Sequence, residues 1–206
     1  MLIARLLYPI EVLGVGKRVG IWVSGCNRRC RGCSNPELWE FDQTREISVE
    51  SILKIISGLH EQNPVDGFTI TGGEPFDQEI ELAPLVRGLK ELSQDIIVYT
   101  GYTINELRSR KGNDMEAIFN DIAVLIDGRY IDEQNKDFFM KGSGNQNIIV
   151  LNSNFKKTYS EHIANGRNKI QNFRAYDGII SVGIHKRGFI ADLDKRMKEY
   201  GIEAKD

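Results

Sequence analysis

The chain has 206 residues, 41% of them hydrophobic and 27% charged, with a formal net charge of -2. That length can bury a full core in one domain, the composition excludes a disordered chain, and the near-balanced charge gives no ground for a general nucleic-acid or membrane surface. No stretch approaches the ~20 apolar residues of a membrane span, and the apolar start is broken by Arg5 and Pro9, unlike a secretory leader.

Two extended segments open the chain, ARLLYPIEV (4–12) and KRVGIWVSG (17–25), around Gly14 and Gly16. A loop follows from Gly25 to about Glu40. Ser48 then caps a helix with an apolar face of Ile52, Leu53, Ile55, Ile56 and Leu59, which Asn63-Pro64 ends. GFTIT (67–71) reads as a short buried strand and GGEP (72–75) as the loop after it. IELAPLVRGLKELS (80–93) is helical, with Pro84 near a first turn or a kink. DIIVYT (95–100) is a strand, and Thr103 caps the helix TINELRSR. IAVLIDG (122–128), NIIVLN (147–152) and GIISVGI (178–184) are further strands, and FIADLDKRMKEYGI (189–202) is a closing helix. Alternating strands and helices predict an α/β fold with a mainly parallel sheet. In such sheets ligands bind beyond the carboxyl ends of the strands. The cysteine loop, GGEP, TGYT and DGRY all fall there.

The chain has three cysteines, Cys26, Cys30 and Cys33, all within eight residues. An odd, clustered set argues against a disulfide framework and for a reducing cytoplasm. Structural zinc wants four closed ligands, and His60, His162 and His185 lie near neither the cysteines nor each other. These histidines form no constellation and read as structural or surface residues. A thioredoxin-like pair needs only two cysteines. Buried inert thiols sit badly with Arg28, Arg29 and Arg31 between and beside them. An iron–sulfur cluster, normally held by four cysteines, would keep one iron open here. The spacing favours the cluster, with zinc the main alternative.

Cys-x3-Cys-x2-Cys at Cys26, Cys30 and Cys33, followed in the next strand's loop by Gly72, Gly73, Glu74 and Pro75, resembles the signatures of the radical S-adenosylmethionine (AdoMet) superfamily. VGIWVSGC, RGCSNPELW, TGGEPFDQ, VYTGYT, VLIDGRYI and GSGNQNII are similar to successive blocks of the anaerobic ribonucleoside-triphosphate reductase activating proteins, which are small glycyl-radical-enzyme activases. The resemblance covers about residues 10 to 150. Two departures stand out. Gly144 and Asn147 replace a serine and an arginine common in the last block, and the chain continues for over fifty residues beyond it.

The resemblance implies a 4Fe–4S cluster on the three cysteines, with AdoMet bound through its amine and carboxylate to the fourth iron. Gly72 and Gly73 permit backbone approach, and Glu74 is expected to meet the methionine ammonium while Pro75 stiffens the turn. Thr100 and Gly101, beside Tyr99, fall where ribose or adenine lies. Asp127 is expected to accept from ribose hydroxyls or a neighbouring backbone, or to be a plain turn residue before Gly128. Ser143, Asn145 and Gln146 are expected AdoMet or partner contacts. No side chain is required as a general acid or base. The three arginines either serve the cluster or a docking protein, or form a solvated face. Trp39 and Phe41 are expected to pack under the cysteine loop.

The expected fold is a partial (β/α)6-type barrel with mainly parallel strands. Residues 1–206 would form one radical AdoMet domain, and about 152–206 a C-terminal extension packed on it, adding one more strand–helix unit. The expected function is a cytoplasmic, oxygen-sensitive activase of a glycyl-radical enzyme, by resemblance anaerobic ribonucleotide reductase, with a reduced flavodoxin-type donor and no membrane or nucleic-acid partner. A radical AdoMet enzyme acting on a peptide or small molecule, and a non-catalytic iron–sulfur electron carrier, are the alternatives.

Overall fold

The computed structural model describes residues 1–110, 114–175 and 178–201. Six strands form one open sheet in sequence order: β1 (Ile3–Ile10), β2 (Arg18–Val23), β3 (Gly67–Gly72), β4 (Ile96–Tyr99), β5 (Val124–Asp127) and β6 (Asn147–Val150). β2 to β5 run parallel, whereas β1 and β6 are antiparallel edges. The α/β class and the mostly parallel order follow the sequence expectation. The two edges depart from a uniform β/α repeat for a covalent reason. A parallel neighbour needs a crossover to the far end of the sheet. Only a short turn through Gly14 and Gly16 joins β1 to β2, and the 128–146 connection contains one 3₁₀ turn, Asp132–Gln134, in place of a crossover helix.

The crossovers are α1 (Val49–Gln62), α2 (Glu79–Lys90), and the pair α3 (Ile104–Arg108) and α4 (Asp114–Asp121). Ser48 caps α1 by accepting the Ser51 N–H, and Thr103 with Glu106 forms a full capping box on α3. Pro84 lies inside α2. The sequence reading anticipated α1, α2 and α3 but not α4.

Strand alternation divides the core between two faces. Val19, Ile21, Val23, Ile70, Ile96 and Val98 join Ile52, Ile56, Leu82, Leu85, Val86 and Leu89 from α1 and α2. The other face carries Trp22, Ile97, Val124 and Ile126. A sheet of this kind needs both faces covered, and the chain after β6 covers the second. α5 (Lys156–Asn165) buries Tyr159 against Ile97, Val124 and Ile126. The hairpin β7 (Ile170–Arg174) with β8 (Ile179–Gly183) brings Val182 to Ile10, Leu13, Trp22 and Leu38. α6 (Phe189–Glu199) follows. GIISVGI is thus a strand as expected. However, it pairs with β7 in a separate antiparallel sheet and does not add a strand–helix unit to the main one. Of the expected closing helix, residue 202 lies outside the described residues, as do 203–206 of the extension.

A buried polar knot fastens α5. Arg18, fully buried at the start of β2, donates to the Asp95 carboxylate, the Thr69 hydroxyl and the Phe68 and Asp95 carbonyls. Tyr159 donates its hydroxyl to the same Asp95. A buried guanidinium is tolerated because its donors are matched by acceptors and its charge by a carboxylate.

Candidate cofactor site

The loop from Gly25 to Glu40 is closed at its base. Gly25 N–H donates to the Leu38 carbonyl and Cys26 N–H to the Trp39 carbonyl, both at 2.9 Å. Ser24 Oγ donates to the Glu40 carbonyl at 3.0 Å. Leu38 is fully buried and anchors the loop on the second face of the sheet. Between these ties the three cysteines are presented to one pocket. Backbone N–H groups approach two sulfurs, Arg28 to Cys26 and Asn35 to Cys33, each at 3.4 Å. Burial pushes the Cys26 and Cys33 thiols up, partly offset by these N–H groups.

The GGEP loop is stitched to the same place. Gly73 N–H donates to the Val23 carbonyl and Glu74 N–H to the Gly25 carbonyl, both at 2.8 Å. Gly72 has φ +104, in the region that favours glycine, and a Cβ on Gly73 would collide with the Gly25 carbonyl oxygen. Glycine is required here by the contact between the two loops as much as by any ligand. Pro75 starts a 3₁₀ turn and is buried behind the pocket.

Glu74 is almost completely buried. Its carboxylate accepts the Thr100 hydroxyl at 2.8 Å, the Phe76 N–H at 3.0 Å and the Gly101 N–H at 2.7 Å. It therefore ties the end of β3 to the end of β4. Burial raises its pKa to about 7, against the three donors, which favour the ionised form. A carboxylate has about four acceptor sites, so three internal bonds leave room for one further donor from the pocket.

Of the residues singled out in the sequence, Cys26, Cys30, Cys33, Gly72, Gly73, Glu74, Thr100, Gly101 and Gln146 line this pocket. Asp127 stands behind it, accepting the Ile104 N–H at 2.7 Å and the Asn147 amide at 2.8 Å. It serves a neighbouring backbone, one of the roles expected for it. Ser143 and Asn145 are also off the pocket. Ser143 donates to Asn145 Oδ1 at 2.8 Å, and Asn145 donates to the Arg129 carbonyl at 2.8 Å. Gln146 bridges the Gly142 N–H and the Gly128 carbonyl, each at 2.8 Å. The block 143–146 thus holds the chain leaving β5 against the start of β6.

The arginines separate. Arg28 lines the pocket and stacks over Tyr102, 4.4 Å from the ring centroid. Arg29 pairs with Glu40 at 2.8 Å, and Arg31 with Glu133 at 3.6 Å, both near the surface. Trp39 also lines the pocket. Its indole N–H neighbours the Cys33 thiol but lies outside hydrogen-bond geometry. Among the described residues Trp39 Nε1 and Arg28 Nε are buried donors with no partner. Two orphaned donors beside three thiols suit an anionic group with acceptor sulfurs, which is the character of an iron–sulfur cluster. Among the described residues no three His, Cys, Asp or Glu side chains gather around a single metal-ion position.

Tyr99, expected at this strand end, lines the pocket. The rest of the far wall has no signal in the sequence: Leu13, Trp22, and Ser181, Val182, Gly183, Ile184 and His185 from β8 and its exit. The alternation in GIISVGI signals a strand, but nothing local says where a strand so distant in sequence docks.

Known proteins place this site in a family. Residues 12–149 match the family described as a 4Fe-4S single cluster domain. Across 148 residues the chain is 35% identical to the anaerobic ribonucleoside-triphosphate reductase-activating protein of Haemophilus influenzae, covering 68% of this chain and 93% of that one. The protein of the same name from Vibrio cholerae is 32% identical over 149 residues, with the same coverage. That of Enterobacteria phage T4 is 28% identical over 147 residues, 69% of this chain and 90% of its own. The chain belongs to this family of activating proteins.

Within the match to the 4Fe-4S single cluster domain fall the cysteine loop, the GGEP loop, the β4 rim and most of β6. The match stops at Ile149. α5, the β7–β8 hairpin and α6 lie beyond it, including the five pocket residues from Ser181 to His185. Among the described residues no helix is long and apolar enough to cross a membrane.

Proposed function

We propose that this chain is a radical AdoMet activase of a glycyl-radical enzyme, and that its target is an anaerobic ribonucleoside-triphosphate reductase. The observation that carries the reading is that Cys26, Cys30 and Cys33 share one pocket with Gly72, Gly73, Glu74, Thr100 and Gly101. The relatives named for activating that reductase support the choice of target.

In this reading the three cysteines hold three irons of a 4Fe–4S cluster, with Arg28 Nε and Trp39 Nε1 as donors toward its sulfurs. The free acceptor site of Glu74 and the carbonyls of the GGEP loop receive the methionine ammonium of AdoMet. When bound, cluster and AdoMet supply a one-electron cleavage. A flavodoxin-type protein would be the electron donor for that cleavage. The reaction it would serve is removal of a hydrogen atom from a glycine of the partner, which would then carry the glycyl radical. The protein binds, orients and excludes water. The six-stranded sheet is read as a partial barrel, residues 1–206 as one domain, and the setting as cytoplasm.

The test mixes the anaerobically reconstituted, reduced chain with AdoMet and the reductase. A glycyl-radical electron paramagnetic resonance signal on the reductase is expected. Release of 5′-deoxyadenosine with no radical on the reductase would overturn this target and favour a peptide or small-molecule substrate.

A further inference from the structure

The reaction proposed above acts on a backbone atom, the Cα of a glycine, so its substrate is a length of polypeptide chain. The far wall of the pocket is itself a strand. Ala175 N–H donates to the Gly178 carbonyl at 2.9 Å, which makes these two a hydrogen-bonded pair. Antiparallel pairs alternate between bonded and non-bonded. The register of β7 and β8 therefore makes Arg174 with Ile179, Asn172 with Ser181 and Ile170 with Gly183 the non-bonded pairs. The N–H and C=O groups of Ile179, Ser181 and Gly183 point away from β7, along the outer edge of β8. Among the described residues no third strand and no loop backbone pairs with this edge.

The edge reaches the pocket. Ser181 and Gly183 both line it, and a glycine does so only with backbone atoms. Both residues are part-exposed, and Ile179, at the far end of the strand, is 73% exposed. The edge is also unguarded. Protein edges are blunted by charge, by proline or by a covering element, and Ile179–Gly183 carries neither charge nor proline. β7, by contrast, ends in Arg174 and is tied to the first strand: Gln171 donates to the Pro9 carbonyl at 2.7 Å and accepts the Glu11 N–H at 3.0 Å. Finally, the edge is held from behind. Val182 is buried against Ile10, Leu13, Trp22 and Leu38, and Asn135 donates to the His185 carbonyl at 2.9 Å. A strand fixed in this way loses little freedom when a second chain pairs with it.

We propose that the free edge of β8 is the docking strand for the glycine-bearing segment of the partner enzyme, which adds as a third strand beside β8 and so runs into the pocket. This rests on the activase reading above and deepens it by stating how the substrate is recognised. Main-chain hydrogen bonds to Ile179, Ser181 and Gly183 supply affinity, and the reach of the edge into the pocket supplies position. A strand edge recognises backbone, which suits a target whose reacting residue has no side chain. Ile179 offers an apolar contact where the segment enters. The edge lies after Ile149, outside the family match, so the docking device belongs to the appended segment.

The test uses the reconstituted chain with AdoMet and a short fluorescent peptide copied from the reductase around its radical glycine. Anisotropy gives the affinity, and a single backbone N-methyl group is moved along the peptide one residue at a time. Alternate N–H groups of an added strand face β8. N-methylation is therefore expected to weaken binding about tenfold at every second residue, for one lost hydrogen bond, and little at the residues between. Ser181→Pro removes an edge N–H that takes no part in the β7 ladder, a change that edge strands tolerate, and is expected to weaken the peptide about tenfold. Ser181→Ala keeps that N–H and is expected to bind the peptide like the unaltered chain. The N-methyl series needs no altered protein and decides the matter if Ser181→Pro does not fold. If the reductase gains its glycyl radical but the series shows no period of two, or folded Ser181→Pro binds the peptide as tightly as the unaltered chain, the inference is overturned and the activase reading stands. If the unaltered chain puts no radical on the reductase, that reading falls and the inference with it.

Discussion

The Glu74 carboxylate accepts the Gly101 backbone N–H at 2.7 Å across the gap between β3 and β4. With the Thr100 hydroxyl and the Phe76 N–H on its other oxygen, this one side chain assembles the rim of the pocket that it also lines. Construction and ligand binding are therefore coupled at Glu74, and substitutions there separate into two measurable effects.

Glu74→Gln keeps the shape but not the acceptors. Whichever way the amide turns, its NH2 faces either Gly101 N–H or the Thr100 and Phe76 donors. One buried donor is left unmatched, at a cost of about 1–3 kcal/mol. Urea denaturation of the cluster-free chain is expected to show that loss. Unchanged stability would mean that the rim does not depend on this carboxylate.

The raised pKa of Glu74 has a pH signature. Burial favours the protonated form, so the folded chain holds this proton up to about pH 7, while the unfolded chain releases it near the ordinary carboxylate value. The folded state then binds more protons between those limits. Its contribution to stability is complete below the unfolded pKa and is lost as pH rises through about 7. The stability of the unaltered chain relative to Glu74→Gln should therefore fall over that window. A flat difference across pH 4.5 to 7.5 would contradict the assignment.

Cys30 is the most buried of the three thiols. Cys30→Ala removes a small apolar-sized group, so the fold is expected to survive with a circular dichroism spectrum like that of the unaltered chain. Reconstituted iron is expected to fall to near zero. Retention of a full cluster would exclude Cys30 as a ligand.

The knot of Arg18, Asp95 and Tyr159 carries a stability prediction. Asp95→Ala strands a buried guanidinium and is expected to cost about 3–5 kcal/mol. Tyr159→Phe removes one hydrogen bond and is expected to cost about 1–2 kcal/mol. Equal effects in chemical denaturation would show that the ion pair is not the dominant element.

The cysteine loop and the GGEP loop were legible because their chemistry is written in contiguous residues. Gly73 is glycine for a contact with Gly25, and both sit in recognisable motifs. β2 to β5 were legible because apolar runs alternate with capped helices. α5 was not, since it buries Tyr159 but carries no continuous apolar stripe. The burial of Arg18 was not legible, because its acceptors come from Thr69, Asp95 and Tyr159, far along the chain. β6 read correctly as a strand, but its antiparallel direction depended on the absence of a crossover helix before it. His185 read as an unremarkable histidine. Its place at the pocket depends on how the β7–β8 hairpin folds back over Trp22 and Leu13, which no local pattern encodes.

The most direct measurement is the product formed when the anaerobically reconstituted chain, loaded with about four irons and four sulfides, is reduced with dithionite in the presence of AdoMet. The account predicts equal amounts of 5′-deoxyadenosine and methionine, abolished in Cys30→Ala. An intact, reducible cluster that leaves AdoMet uncleaved would contradict it.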